Sequence, residues 1–436
     1  MLLDQDTHKN GMFSSLQDQY AAKADEGPLK KVRAKAWDHF LELGLPDKKT
    51  EVFRYFPLHQ LYASTFKVAE EAEVSAEEIT QYIFPECREA VLVFVNGRFS
   101  ETLSNTGALP EQVAVEPLSR AVKTYGGFLM NRWAKAMKEE TDAFAVLNAA
   151  IHEGGVFVYV PPKTVLASPI QILNVISCSE KKVMMHPRLH LFCGSQSEVT
   201  LVQDTALLSG EDYWLNQVLD FSLEDAARVR YASVAGVAHD AWHFEAVRAT
   251  LKRDSYLSTV CPTEGSRGVR QDYSVALTGE NAEVCLNGAW LLDEKRQAHT
   301  NVLMDHRAPH CQSSQLFKGV LDGMSHSSFE GKVYVHSEAQ KTDAYQMNNN
   351  LILSDKARAE SKPNLEIYAD DVKASHGSTV GQLDKEHLHY LRTRGLTERD
   401  AKNLLLAGFC KQVIDRLPLE SMRKTMAGRI NRYLKG

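Results

Sequence analysis

The sequence predicts a mainly β fold in which short strands stack as the rungs of a solenoid, with helices before and after them. Within residues 329–381, short apolar runs such as VYV, LILS and LEIYA are separated by turns rich in Gly, Asn, Asp and Pro. Strands this short, without Asn-Gly hairpin turns between them, favour a β-helix whose rungs bury their faces only against neighbouring rungs. The same character extends back to Gly154, and helical spacing returns at both ends of the chain.

Successive extended segments of the central region follow one another at roughly 10–20 residues, which suits the rungs of a solenoid. Examples are IQILNVI, PRLHLFCG, SEVTLVQDT and VLDFSLED. A β-sandwich gives similar short strands, so this pattern by itself leaves both folds open.

The N-terminal region, residues 1–152, is predicted to be a mostly helical domain with one β-hairpin. Apolar residues recur at helix spacing in LKKVRAKAWDHFLELG, which ends at Gly44. The segment AVLVFVNGRFS predicts the hairpin near residues 90–100, because its Asn-Gly pair favours the tight turn of that motif.

The β-helix core is expected at residues 153–381, followed by a helical C-terminal domain at residues 382–436. Asp384 and Thr397 are in position to cap two successive helices of that domain. The apolar stripe of the second helix consists of Leu404, Leu405, Phe409, Val413 and Ile414.

Composition excludes several classes of protein. A net charge of −6 and 44% hydrophobic residues give no reason to expect nucleic-acid or membrane-surface binding. No apolar run approaches the roughly 20 residues that span a bilayer, and the opening MLLDQDTHKN lacks the features of a signal peptide. We therefore expect a cytoplasmic protein that binds neither nucleic acid nor membrane.

The seven cysteines are scattered and include no Cys-x-x-Cys pair, so neither a disulfide framework nor a closed structural zinc site is indicated. No GxxxxGK motif followed by Ser or Thr occurs, and no GxGxxG, so we expect no nucleotide site on this chain. Flavin can bind without such a fingerprint, so the sequence leaves flavin open.

Three motifs, AQKTDAYQ, SKPNLEIYADDVK and SHGSTVG, closely resemble in order and spacing the C-terminal core of the SufB/SufD family of iron–sulfur cluster assembly scaffolds. The resemblance extends upstream through GENAEVCLNGAW and DHRAPHCQSSQLFKG, and downstream through YLRTRGLTERDAKNLLLAGF. The N-terminal LPDKKTEVFRYFPL is more similar to SufD than to SufB. The resemblance implies a right-handed parallel β-helix, a single-stranded solenoid, flanked by N-terminal and C-terminal α-helical domains.

The resemblance also implies a SufD-like, non-catalytic scaffold subunit that helps to build and transfer iron–sulfur clusters. Its expected partners are a SufB-like scaffold subunit and a SufC-like ABC-type ATPase, with a homodimer when the chain is isolated. An Fe–S cluster would form transiently at the interface with the SufB-like chain, and FAD would belong to the complex. The ATPase would dock on the C-terminal helices, at Leu404, Leu405 and Phe409.

His376, in SHGSTVG, is the first functional candidate. Imidazole can ligate iron or carry a proton near neutral pH, although a histidine in a turn is more often structural. The resemblance maps the family's functional histidine onto this position, at the interface with SufB. Many relatives have Cys two residues earlier, where this chain has Ala374. A cluster thiolate at that point would therefore come from the partner.

A second candidate is the set His306, His310 and Cys311, two imidazoles and a thiol within six residues, which could hold zinc or iron. The spacing is weakly diagnostic, because Cys311 would face away from the histidines in a strand. A structural turn with polar contacts is the favoured interpretation.

Two alternative functions remain at this stage. A SufB-like subunit would hold the cluster itself through Cys261, Cys285 or Cys311. A β-helix enzyme acting on carbohydrate would use paired carboxylates, which Asp370 and Asp371 provide together with Glu366 and the nearby Lys373. Turn formation is the more ordinary role for Asp-Asp at a rung corner.

Overall fold

The computed structural model describes residues 2–24, 27–236 and 238–434. The chain is mainly β, a parallel β-solenoid of about eight turns with helices before and after it. The helices are α1 (Leu2–Lys23), α2 (Lys30–Leu43), α3 (Leu58–Tyr62), α4 (Ala76–Thr80), α5 (Leu118–Thr124), α6 (Gly126–Glu139), α7 (Ala143–Ile151), α8 (Lys385–Thr393), α9 (Glu398–Ile414) and α10 (Glu420–Tyr433). In the described residues, no helix is both long and apolar enough to cross a membrane.

The strands alternate between two sheets as the chain coils. They are β1 (Lys67–Val68), β2 (Val91–Val95), β3 (Arg98–Asn105), β4 (Ala114–Pro117), β5 (Val156–Val160), β6 (Ile170–Ser177), β7 (Val183–Met185), β8 (Arg188–Cys193), β9 (Glu198–Ser209), β10 (Tyr213–Leu223), β11 (Arg228–Ser233), β12 (Trp242–Leu251), β13 (Tyr256–Thr263), β14 (Gly268–Leu277), β15 (Glu283–Leu292), β16 (Gln297–His306), β17 (Gln312–Leu321), β18 (His326–Val335), β19 (Thr342–Ile352), β20 (Arg358–Ile367) and β21 (Val372–Gly381).

Each solenoid strand from β8 to β19 pairs in parallel with the strand one turn earlier and the strand one turn later. The first sheet runs β20-β18-β16-β14-β12-β10-β8-β5-β4, with β1 and β7 beside it. The second sheet runs β21-β19-β17-β15-β13-β11-β9-β6-β2-β3. This order excludes the β-sandwich, because the sandwich is built from antiparallel strands.

The hairpin of β2 and β3 is antiparallel and turns at Asn96 and Gly97, which have φ of 47° and 81°. Strand β2 also pairs in parallel with β6, so the hairpin closes one end of the second sheet. The segment with the Asn-Gly turn is therefore part of the sheet, although it precedes the β-helix boundary expected at residue 153.

A left-handed corner recurs once per turn of the solenoid. Its residues lie 27 to 31 positions apart, have φ between 57° and 61°, and are Gln196, Ala226, Asp254, Asn281, His310 and Lys341. Each donates its backbone N–H to a carbonyl on the following turn, at 2.5 to 3.1 Å. The corner ladder therefore continues the hydrogen bonding of the sheets around the bend.

The core fills the inside of the solenoid through the alternation of each strand. On β12, for example, Val247, Ala249 and Leu251 face inward, while Trp242 and Phe244 face outward. The outward aromatics pack beneath Phe53, Phe56 and Phe144 of the N-terminal helical region. Burial of this second apolar layer fixes the helices against the first sheet.

The opposite sheet carries the C-terminal helices. Outward side chains of β13, β15 and β17 form one apolar cluster with α9 and α10: Val260, Ala289, Leu291, Leu316, Val320, Leu406, Cys410, Val413, Ile414, Met422, Met426 and Ile430. Asp384 and Thr397 accept backbone N–H groups at the starts of α8 and α9, as the sequence predicts.

A buried ionic cluster joins the N-terminal helices to the first sheet. Arg270 lies 2.6 Å from Asp142, which caps α7, and 2.8 Å from Asp272. Arg248 lies 2.6 Å from Glu140 and 2.7 Å from Asp272. Burial raises the pKa of Asp142 despite these arginines, whereas Arg270 and Arg248 hold the pKa of Asp272 below its usual value despite its burial.

Arg270→Met is expected to lower the free energy of unfolding by about 3–5 kcal/mol, because it leaves Asp142 and Asp272 buried without that guanidinium. Urea denaturation measures the change. The matched control is Arg253→Met, which removes an exposed ion pair with Asp225 at 3.6 Å and should cost at most about 1 kcal/mol. Equal losses in the two variants would contradict the role assigned to the cluster.

Candidate functional site

The solenoid ends in an open turn formed by β20 and β21. Strand β20 pairs with β18, and β21 pairs with β19. In the part of the chain that the structure describes, no further strand lies against their other edges. A row of backbone N–H and C=O groups on each strand is therefore available to another strand.

His376 lies on the inward row of this last turn. The row of β21 includes Ala374, His376 and Ser378, each in register with an inward residue of β19 one turn below. Val372 and Ala374 pack against the core, whereas His376 is exposed because nothing described covers the open end. Its imidazole makes no hydrogen bond or ion pair within the described residues. The histidine is thus presented at the mouth of the solenoid.

The other side of the mouth comes from β20. Leu365 and Ile367 pack against the core, and the Ser361 hydroxyl oxygen is buried without a hydrogen-bond partner. The outward side chains of β20 are charged, with Lys362 at 3.3 Å from Glu330 and Glu366 at 2.8 Å from Lys332. The open end therefore combines an apolar rim, which consists of Leu365, Ile367, Val372 and Ala374, with a few polar groups and a charged outer edge. Protein interfaces commonly combine apolar and polar surface in this way.

Gln346 stands directly below His376 in the register of β19 and β21. No local motif in the sequence marks Gln346 as functional. It lies 30 residues before His376, a separation that matches the repeat of the left-handed corners. This separation indicates proximity to His376 only once the length of a solenoid turn is known.

The cysteines do not gather at the open end. Cys261 lies on β13, four strands below β21 in the second sheet, and burial raises the pKa of its thiol to about 12. Cys311 is also buried, and burial raises its pKa. Cys285 is half-buried on β15, with its sulfur 3.9 Å from Glu283. A thiolate is the cluster ligand, so this arrangement offers little support for the SufB-like alternative.

The set His306, His310 and Cys311 is divided between three environments. His306 is fully buried, its Nε2 is 2.9 Å from the Ser313 hydroxyl, and burial lowers its pKa to about 4. His310 occupies the left-handed corner and its side chain is about half exposed. The Cys311 sulfur lies 3.3 Å from the Gly279 carbonyl oxygen. Among the described residues, no group of three or more such side chains is arranged to hold a metal.

Asp370 and Asp371, the acidic pair of the carbohydrate-enzyme alternative, lie in the turn before β21, where the backbone of Asp371 is hydrogen-bonded. The Asp371 carbonyl accepts the N–H of Lys341, and its own N–H donates to Gln340 Oε1 at 2.9 Å. Glu366 is paired with Lys332. Lys373 is exposed on the outward row of β21, beside Asp343 in the register. These contacts favour the turn interpretation over acid–base chemistry.

The three residues predicted for ATPase docking differ in access. Leu404 is 54% exposed on α9, and Leu405 is half-buried. Phe409 packs against the sheet, where the Lys318 ammonium lies 4.4 Å from its ring centroid. Helix α8 has no buried residue, and its Tyr390 is 56% exposed. The accessible surface thus extends from Leu404 toward α8 rather than toward Phe409.

Family models match almost the whole chain. The model described as "SUF system FeS cluster assembly, SufBD core domain" matches residues 175–409, and "SufBD protein N-terminal region" matches residues 9–172. A β-solenoid with an open histidine-bearing end is thus the core of an iron–sulfur assembly protein. The chain belongs to the SufBD family of the SUF system.

Full-length relatives agree with the family models. A SufBD family protein of iron–sulfur cluster assembly from Synechocystis is 28% identical over 435 residues, covering 97% of this chain and 95% of the relative. The SufD protein of Escherichia coli is 26% identical and covers 91% of each chain. The SufD of Bacillus subtilis is 25% identical, covering 69% of this chain and 68% of its own.

Two substitutions of His310 distinguish its role as the left-handed corner residue, with φ of 59°, from a role as a metal ligand. His310→Asn should keep stability, because Asn adopts positive φ readily, whereas the β-branched His310→Val should lower the free energy of unfolding by about 1–2 kcal/mol. Thermal and urea unfolding compare the two. A metal role remains a prediction, and loss of bound zinc or iron from the isolated chain in His310→Asn would establish it.

Proposed function

We propose that the chain is a SufD-like, non-catalytic scaffold subunit that builds and transfers iron–sulfur clusters with a SufB-like chain and a SufC-like ATPase. The observation that carries this is the open last turn of the solenoid with His376 on its inward row. The names of the E. coli and B. subtilis relatives support the SufD-like role over the SufB-like one. Ala374 adds to this, because the last turn offers no thiolate beside His376.

Pairing with the SufB-like chain would extend the two sheets across the open end. Unpaired backbone groups of β20 and β21 supply the hydrogen bonds, and the apolar rim supplies buried area. His376 would then lie at the interface, where one imidazole of this chain and thiolates of the partner could ligate the cluster that is being built. In the absence of the SufB-like chain, the unpaired backbone groups of β20 and β21 would pair with those of a second copy, which would give a homodimer.

The C-terminal helices would receive the ATPase. Leu404 on α9 and Tyr390 on the unburied α8 are exposed and would supply apolar contacts to the ATPase. Since α9 packs on the second sheet, movement of a bound ATPase pair would be transmitted to the solenoid. FAD in the complex and a cytoplasmic location stay predictions, of which the first is tested by flavin absorbance of the purified complex.

His376→Ala is expected to lower the iron and sulfide bound per complex while leaving the three-protein complex intact. The reason is that His376 is exposed and makes no described contact that the fold needs. Co-purification with the SufB-like and SufC-like chains, followed by iron and sulfide analysis, measures both quantities. Unchanged loading would remove His376 from the mechanism.

Val380→Asp is expected to weaken capture of the SufB-like chain, because Val380 is 51% exposed on the inward row of β21 and would be buried by pairing. The matched control is Val165→Asp, since Val165 is 62% exposed far from the open end. A pull-down of the SufB-like chain compares them. Equal capture by both variants would contradict pairing through this end.

A further inference from the structure

Two glutamines fill the inside of the solenoid directly below the open end. In the second sheet, Gln315 of β17, Gln346 of β19 and His376 of β21 occupy successive positions of one inward row. Gln346 has no exposed surface and Gln315 has 1%. An amide inside an apolar core is costly unless each of its polar atoms has a partner, so this row calls for an explanation.

The hydrogen bonding of this row is incomplete at both ends, since Gln315 Nε2 and Gln346 Oε1 are each buried without a partner among the described residues. Gln346 Nε2 donates to Gln315 Oε1 at 2.9 Å, which holds the Gln346 amide in place. Gln346 Oε1 is buried and accepts no hydrogen bond. One turn above it, the imidazole of His376 carries a ring N–H that finds no acceptor among the described residues.

The opposite sheet is shaped to admit the amide. Gly331 of β18 faces Gln346 across the interior, and a Cβ built at Gly331 would lie 2.0 Å from Gln346 Nε2 and 2.8 Å from the Phe329 ring. Any larger residue at this position would displace the amide. The glycine therefore preserves space for a polar side chain immediately behind the open end.

We infer that Gln346 is a positioning residue for His376: its buried amide oxygen accepts a hydrogen bond from one ring nitrogen and so turns the other nitrogen toward the interface. This inference rests on the proposed function, because it assigns a purpose to the orientation of His376. A ligating histidine commonly donates its second ring N–H to a neighbouring acceptor, which fixes its tautomer and its direction. Gln346 is the register neighbour of His376, and its Oε1 has no other hydrogen-bond partner among the described residues.

The test uses the full-length chain and two readouts. The first is the tautomer of His376, read from the ¹⁵N shifts of its ring nitrogens in labelled protein and assigned with His376→Gln. The second is the iron and sulfide bound by the complex with the SufB-like and SufC-like chains. Gln346→Met removes the acceptor at similar volume, and Gln346→Glu restores an acceptor oxygen. The control Asn348→Ala changes an equally buried residue of β19 that lies below Ser378 instead of His376.

Gln346→Met should abolish the preference for one tautomer and lower cluster loading by about 10-fold or more, the usual loss when a partner behind a ligand is removed. Gln346→Glu should retain both properties, and Asn348→Ala should leave the His376 tautomer unchanged. An unaltered His376 signal in Gln346→Met, or an equal change in Asn348→Ala, would overturn the inference.

A further variant tests the same inference if Gln346→Met does not fold. Gly331→Ala keeps Gln346 but displaces its amide, and it should produce the same change in the His376 signal. An unaltered signal in Gly331→Ala would overturn the inference. The proposed function has a separate test: it would be contradicted if His376→Ala left cluster loading unchanged. That outcome does not depend on the tautomer measurements.

Discussion

Backbone hydrogen bonding between successive turns is the constraint on which the rest of this structure depends. Each strand from β8 to β19 pairs in parallel with strands one turn before and after it, and the left-handed corners continue the hydrogen bonding around the bend. Since a turn is held only by its two neighbours, its side chains must stack in register with theirs. The inward rows then form a continuous core, and the outward rows are left to receive helices.

The same constraint creates the open end at which we propose that the chain functions. The hairpin of β2 and β3 lies at the far end of the second sheet, but β20 and β21 each lack a second partner in the described chain. An end of this kind must be covered by another chain or must face water with apolar residues exposed. His376 is placed at that end by register alone. Helices α9 and α10 cover the outward face of the second sheet, so the two surfaces proposed for partners are separate and belong to the same packed unit.

Particular residues mark how far sequence reasoning reached. The apolar alternation and turn residues predicted short stacked strands, and Asp384 and Thr397 predicted two helix starts that the structure confirms. For His306, His310 and Cys311 the sequence left a metal site open but favoured a structural turn. In the solenoid a left-handed corner at His310 separates the two histidines, so that His306 is buried and His310 is partly exposed. The metal role of this set stays a prediction.

The amino-acid sequence is enough to predict the local periodicity, the positions of turns and helix caps, and, by resemblance, the family. Those properties depend on neighbouring residues and on motifs read in order. The sequence does not predict that Gln315, Gln346 and His376 share one row or that Gly331 makes room for the amide; these relations come from the folded coil. The physical reason is that contacts across turns join residues about 30 positions apart, and their register is set by the hydrogen-bonded coil rather than by any local preference.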